Sequence, residues 1–320
     1  MTLPYRLIVW ADADQETLLR EVAAVSEIDI AAVGSPAPGV AASLAKPFDV
    51  PTVDDLRQAL LHEGVAGVWV ASAEPVDPAA IRLMQQGTLP VFSAEPLPGT
   101  MADLSAADDA AAAHFVPLMR RSPGFRAATE VLPQFGFVQA VNVNLRSGRG
   151  QGTLSARLYD AMDLIESLCG EAELMDAALV SPIAGVPETL SLLRGHMTMN
   201  LRFSEARCAC VAVSDHAGSW FRGVTVLGEQ GCLRISDEGF EWIGLDGAIV
   251  DSHAPLPGEA KSDPGGLSAS HIVRILEQRD TSEPRVDHAR LLAICEAASL
   301  SCRTGQGEAP RKLLQMLSRP

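Results

Sequence analysis

Basic side chains are scarce. The 320-residue chain has 25 Lys and Arg against 40 Asp and Glu, a formal net charge of −15. Such a surface repels a phosphate backbone on average, and no basic cluster exceeds the pair Arg120-Arg121, so no nucleic-acid partner is expected. Long apolar runs are absent as well. None reaches the ~18 residues of a membrane span, and residues 1–10 lack the basic start and cleavage site of a signal peptide. The expectation is a cytoplasmic protein with no membrane partner. Metal-ligand spacing is also missing. The six cysteines (Cys169, Cys208, Cys210, Cys232, Cys295, Cys302) include no Cys-x-x-Cys, and the seven histidines include no His-x-x-x-His. Buried, reduced thiols and no metal site are expected.

Core-forming material is plentiful. Hydrophobic residues make up 47% and charged residues 20%, which favours a packed interior. At roughly 150 residues per domain, the length suggests two domains. In the first third, 6–10 (RLIVW), 29–34 (DIAAVG), 67–71 (GVWVA) and 90–93 read as strands, and 15–24, 53–61 and 78–86 as helices. Short continuous apolar strands separated by helices imply a parallel sheet covered on both faces. Right-handed crossovers make it doubly wound.

The pattern changes after about residue 113. The run 136–145 (GFVQAVNVNL) alternates apolar and polar, as a one-sided antiparallel strand does. A helix is predicted over 154–169, strands over 174–180, 195–203, 207–213, 221–227 and 232–236, a loop over 255–266, and helices over 268–278 and 287–302. The predicted fold is α/β. A doubly wound domain over residues 1–118 precedes an α+β domain over 119–320, with a large, mainly antiparallel, open-faced sheet.

Several phrases resemble the glucose–fructose oxidoreductase / inositol dehydrogenase (Gfo/Idh/MocA) family, in order, over nearly the whole chain. They are 78–96 (PAAIRLMQQGTLPVFSAEP), 113–136, 152–170 (GTLSARLYDAMDLIESLCG), 222–235 (RGVTVLGEQGCLRI) and 296–305 (EAASLSCRTG). The resemblance implies a Rossmann-like first domain, an NAD(P) cofactor, hydride transfer on a sugar-like substrate, and a homodimer or higher homo-oligomer built through the second-domain sheet.

Read at the family's positions, the chemistry is altered. A dinucleotide turn needs glycines, so that backbone N–H groups can approach the diphosphate. Here the turn is Trp10-Ala11-Asp12-Ala13-Asp14-Gln15, with no glycine and two carboxylates. At ~4 Å and an effective dielectric of 20, one like-charge contact costs about 4 kcal/mol. Asp12 or Asp14 is expected to cap the following helix. After the second strand, Ser35 stands where an acidic or basic residue would select NAD or NADP; Ser72 and Glu74 occupy the family's other cofactor positions. The family's Lys falls on Glu95, its Asp on Ala156 and its His on Asp160. Asp163 alone is retained. No NAD(P) cofactor is therefore expected, with NAD(P) binding kept as the alternative.

Other signals compete with this reading. Glu95 and Asp160 could act as an acid/base pair, with Tyr159 beside them. Ser72-Ala73-Glu74-Pro75 and Ser93-Ala94-Glu95-Pro96 repeat one tetrapeptide after two parallel strands. With Asp12 and Asp14 they would make an acidic crevice at the ligand edge of the sheet, favouring a small cation, an amine or a basic protein partner. The loop 146–152 (RSGRGQG) is either a mobile connection or an anion site. Ser214-Asp215-His216 holds triad residue types, but consecutive residues are not expected to face one another. The apolar alternation in 207–213 and 220–227 fits a covered open face. The expected outcome is a binding, scaffolding or regulatory protein; the alternative is a divergent NAD(P)-dependent oxidoreductase.

Overall fold

The computed structural model describes residues 3–105, 111–255, 262–277 and 286–317. The first elements are β1 (Tyr5–Trp10), α1 (Glu16–Ala23), β2 (Ile28–Gly34), α2 (Val40–Ala45), β3 (Thr52–Val53), α3 (Leu56–Leu60), β4 (Gly67–Val70), α4 (Pro78–Gln86), β5 (Val91–Ser93), α5 (Met101–Ser105) and β6 (His114–Phe115). There follow α6 (Pro123–Phe135), β7 (Val138–Arg146), α7 (Leu154–Cys169), β8 (Leu174–Val180), β9 (His196–Arg202), β10 (Cys208–Ser214), β11 (Phe221–Gly228), β12 (Gly231–Ser236), β13 (Phe240–Ile243) and β14 (Ile249–His253). The last helices are α8 (Pro264–Leu276), α9 (His288–Thr304) and α10 (Pro310–Leu317). One compact unit holds Met1–Pro117, Arg149–Gly152 and Asp263–His288; the other holds Leu118–Gly148, Thr153–Ser262 and Ala289–Pro320.

The first unit is a parallel sheet in the order β3-β2-β1-β4-β5-β6. Its central strands are apolar on both faces because helices cover both. Leu7 and Val9 enter one core cluster, with Leu18, Leu19 and Val22 of α1. Ile8 and Trp10 enter another, with α3 and α4. This is the alternation a strand imposes. Residues 264–266, predicted as loop, begin α8, which Asp263 caps by accepting the Gly266 N–H at 2.7 Å. Residues 256–261 of that predicted loop lie outside the described residues. Helix α8 packs in this first unit, not in the second domain to which its sequence position assigned it. Ala269, Ile272 and Val273 join the α1 cluster. A Cβ on Gly265 would lie 2.3 Å from the Glu21 Cβ, so a glycine is what lets the two helices approach.

His288 closes this unit, its Nε2 hydrogen-bonded to the Pro98 carbonyl at 2.9 Å. Burial holds the imidazole below its ordinary value. The unfolded chain then binds the proton more readily, so stability is complete above ~6.5 and falls as pH drops below it. Thermal melts between pH 7 and 5 are expected to show this fall. His288→Phe is expected to flatten it.

The second unit carries an eight-stranded sheet, β14-β13-β12-β11-β7-β10-β9-β8. All neighbours are antiparallel except the central pair β7 and β10. The hairpin β13–β14 extends it beyond the predicted strands. Helix α7 lies on one face, capped by Thr153, which accepts the Ala156 N–H at 3.1 Å. Val143, Leu145, Met199, Val211, Val213, Val224 and Val226 are buried. The valines of the two runs therefore point inward, while Phe221 and Leu227 of the second run stand exposed on the open face. The open face itself presents Asn142, Asn144, Thr198, Asn200, Cys208, Cys210 and Thr225, exposed or half-exposed.

Candidate functional site

In doubly wound sheets, ligands bind at the carboxyl ends of the strands. The turn after β1 lies there, and it is filled by its own side chains. Gln15 is buried. Its amide oxygen accepts the Asp12 N–H at 2.8 Å, and its amide nitrogen donates to the Ala71 carbonyl at 2.6 Å. Asp12 does not cap α1 with its carboxylate. It accepts the Ser72 hydroxyl at 2.7 Å and the Ala73 N–H at 2.8 Å, tying the turn to the chain after β4. Asp14 meets Arg149 at 3.2 Å. Gly150, at φ 73°, comes so close that a Cβ there would lie 2.3 Å from the Asp14 carbonyl oxygen. Part of the loop predicted as mobile or anion-binding thus packs on the turn.

After β2, Ser35 accepts the Ala37 N–H at 3.3 Å, and the Trp10 ring fills the space over Gly34. These residues do not fit a dinucleotide in the pose that glycine-rich turns support. The Gln15 amide already holds the Asp12 N–H, and the Asp12 carboxylate the Ala73 N–H. Side-chain carbon and negative charge stand where bare backbone is required.

In the second unit, α7 carries Ala156, Tyr159, Asp160 and Asp163, all buried. One Asp160 oxygen accepts the Met119 N–H at 2.7 Å; the other meets Arg222 at 2.8 Å. Arg222 also meets Asp237 at 2.7 Å. Burial works against the Arg222 charge, and Asp237 and Asp160 outweigh it. Trp220 donates to Asp237 at 3.1 Å and receives Arg222 and Arg157 on its ring, 4.9 and 4.4 Å from its centroid. Arg120 grips Asp163 at 2.8 and 2.9 Å. Burial raises the Asp163 carboxyl, and Arg120 opposes it. The acid/base pairing of Glu95 with Asp160 is not supported. Asp160 has no exposed surface and both its oxygens are engaged. Glu95 is half-buried, its N–H donating to Ser93 Oγ at 3.1 Å.

The repeated tetrapeptide has a local explanation. Ser72 Oγ accepts the Glu74 N–H at 3.1 Å, just as Ser93 accepts that of Glu95, so each copy is a serine turn closing a parallel strand. The acidic crevice does not assemble as expected. Asp12 and Asp14 are engaged as above, and Glu74 instead lines a cleft with Asp54, Asp55 and Asp77. Asp215 and His216, expected not to face one another, are bonded at 2.7 Å, while Ser214 pairs with His196 at 2.8 Å. The His216 ring meets Asp215 and not Ser214, whose Oγ takes from His216 only its backbone N–H at 3.1 Å, so these three residues do not line up as a triad. Among the described residues no group of three or more His, Cys, Asp or Glu is placed to hold a metal, and no helix is long and apolar enough to cross a membrane.

Sequence reasoning missed Gln15, although Asp12-x-x-Gln15 has capping-box spacing. It also missed Arg222 and Asp237, which have no local signature.

No family model and no curated protein matches the chain. Solved structures do. Levoglucosan dehydrogenase in complex with NADH and L-sorbose superposes with a TM-score of 0.74 at 13% identity, over 96% of this chain and 99% of that one. An oxidoreductase from Agrobacterium radiobacter in complex with NAD+, L-tartaric acid and magnesium gives 0.71 at 18%, over 98% and 100%. An apo scyllo-inositol dehydrogenase from Lactobacillus casei gives 0.71 at 13%, over 97% and 100%. The fold is that of Gfo/Idh/MocA-type oxidoreductases, across both units.

Proposed function

We propose that this chain keeps an oxidoreductase fold without standard NAD(P) hydride transfer, and serves as a binding, scaffolding or regulatory protein. The observation that carries this reading is the β1–α1 turn, which has no glycine, carries two carboxylates, and has its Asp12 N–H and the Ala73 N–H already taken by Gln15 and Asp12. The replaced catalytic positions agree with it. Glu95 reverses the family's lysine charge, Ala156 has no functional group, and Asp160 is locked to Arg222. A second reading, a divergent NAD(P)-dependent oxidoreductase of a sugar-like substrate, is favoured by the NAD+ and NADH bound in the neighbours. Calorimetric titration with NADH and NADPH near neutral pH separates the two. No binding is expected; a Kd in the micromolar range or tighter overturns the first reading.

The open sheet face is proposed to pair with a second copy. Its central residues Asn142, Asn144, Asn200, Cys210 and Thr225 carry no charge, and interface cores are depleted in charge. Burial pushes the Cys169 thiol up to about 11, so slow labelling there is independent of assembly. Cys208 and Cys210 are exposed in the single chain, and a dimer through this face covers them. Light scattering is expected to give twice the monomer mass, with both thiols slow toward a disulfide reagent. Monomer mass with rapid labelling of both refutes the pairing.

A further inference from the structure

We propose that Cys208 and Cys210 hold a monovalent soft cation, Cu(I) or Ag(I), as a two-coordinate bis-thiolate on the open face of the second unit. The sequence suggests buried thiols, but the structure leaves both of these exposed. They stand two apart on β10 with the buried Ala209 between them, so both side chains leave the sheet on one side. Strand β10 is an interior strand of the sheet, paired with β7 and with β9 along its whole length. The two thiols are thus carried by a rigid element and not by a loop.

The spacing selects the chemistry. Two residues of strand advance the chain by about 6.6–6.8 Å, and two Cβ atoms on one face are about as far apart. A disulfide needs Cβ atoms about 3.5–4.5 Å apart, and the ladders on both sides keep β10 from buckling to that distance. Two sulfurs leaning toward each other still reach a single ion between them. Thiolates favour soft cations such as Cu(I). A zinc site takes three or four protein ligands, and among the described residues no group of three or more His, Cys, Asp or Glu is placed to supply them. A cation satisfied by two thiolates in line is what this pair can hold.

The neighbours suit the charge. Binding breaks two S–H bonds, sends two protons to solvent and forms two metal–sulfur bonds, with no change of oxidation state. One negative charge is left on the complex. Arg202, exposed on the same face, is the register partner of Cys208 on β9. Asn200 is the register partner of Cys210 and accepts its S–H at 3.1 Å. Once that proton is gone, the same amide turned over can donate to the thiolate. The remaining thiols do not compete. Cys169 and Cys295 are buried, and burial pushes both thiols up, Cys169 to about 11. Cys232 on β12 lies three strands from β10, about 14 Å away. Cys302 on α9 is half-buried, with no exposed thiol beside it.

The site does not depend on the pairing of copies proposed above; where copies pair on this face, the ion enters as they separate. The test is calorimetric titration of the full, reduced chain with Ag(I) in chloride-free buffer. Cu(I), kept reduced by ascorbate, is titrated against a chromophoric Cu(I) chelator as the second arm. One tight ion per chain is expected, with about two protons released per ion, counted from two buffers of different ionisation heat. Cys208→Ser and Cys210→Ser change exposed side chains. Each is expected to weaken binding by about a hundredfold or more at an unchanged melting temperature, whereas Cys232→Ser should leave it intact. Zn(II) should bind far more weakly. The proposal is overturned if either monovalent ion fails to bind, if only one proton is released, if either single variant keeps full affinity, or if Zn(II) binds as tightly. Light scattering on the ion-free chain keeps the two readings apart. Monomer mass there refutes the pairing of copies alone, whereas a dimer that takes up no ion refutes the ion site alone.

Discussion

Replacing Arg222 with methionine is expected to cost about 3–5 kcal/mol of stability, the range for breaking one partner out of a buried ion pair. Arg222 has no exposed side chain and stands between Asp160 and Asp237 at 2.8 and 2.7 Å. Methionine fills much of its volume but leaves two carboxylates in the interior without their cation. Water cannot reach Asp160 to compensate, since that side chain is also fully buried. The check is urea denaturation, comparing midpoints at equal slope. Removing all three charges together with apolar residues is expected to recover most of the loss, because an apolar cluster of similar volume does not carry the desolvation cost. A loss below about 1 kcal/mol for Arg222→Met would mean the pair behaves like a surface pair. The same geometry bears on chemistry. Asp160→His would set an imidazole against Arg222, so restoring the family's residue type is not expected to restore a proton relay.

Local patterns were legible in the sequence, and long-range partners were not. The limits of α4 and α7 follow the predicted helices 78–86 and 154–169, and the structure adds their caps, Asp77 and Thr153. The parallel strands follow from short apolar runs. Asp160 could be placed on α7 from its spacing, but its role is set by Arg222, 62 residues away. Asp12 reads locally as a cap. Its carboxylate instead goes to Ser72, 60 residues on, because a chain returning beside β1 offers a hydroxyl and an N–H together. Which side of 207–213 and 220–227 packs on α7 was not legible, because strand alternation fixes which residues share a side without saying which side is covered. Asp54 drew no attention for a related reason: it belongs to no local motif, and only the sheet brings it to one cleft with Glu74.

A fragment ending at residue 118, the domain boundary that the sequence suggests, is not expected to fold cooperatively. The first unit includes α8, more than 140 residues beyond that boundary. Without it, Leu18, Leu19 and Val22 lose the cover of Ala269, Ile272 and Val273. Each large aliphatic side chain returned to water costs about 1.5–3 kcal/mol. Several together rival the 5–15 kcal/mol that typically holds a domain folded. Glu21 would also lose the Gly265 N–H, which it accepts at 3.0 Å. The fragment should retain helical circular dichroism but bind a hydrophobic dye and lack a sharp thermal transition. Fusing residues 262–288 to its end through a flexible linker should restore that transition, and Ile272→Ala in the fusion should remove about 2–5 kcal/mol. A sharply melting 1–118 fragment with dispersed amide signals would show that α1 finds enough cover without α8. The helix would then be an addition to a self-sufficient sheet domain, and not one of its two covering layers.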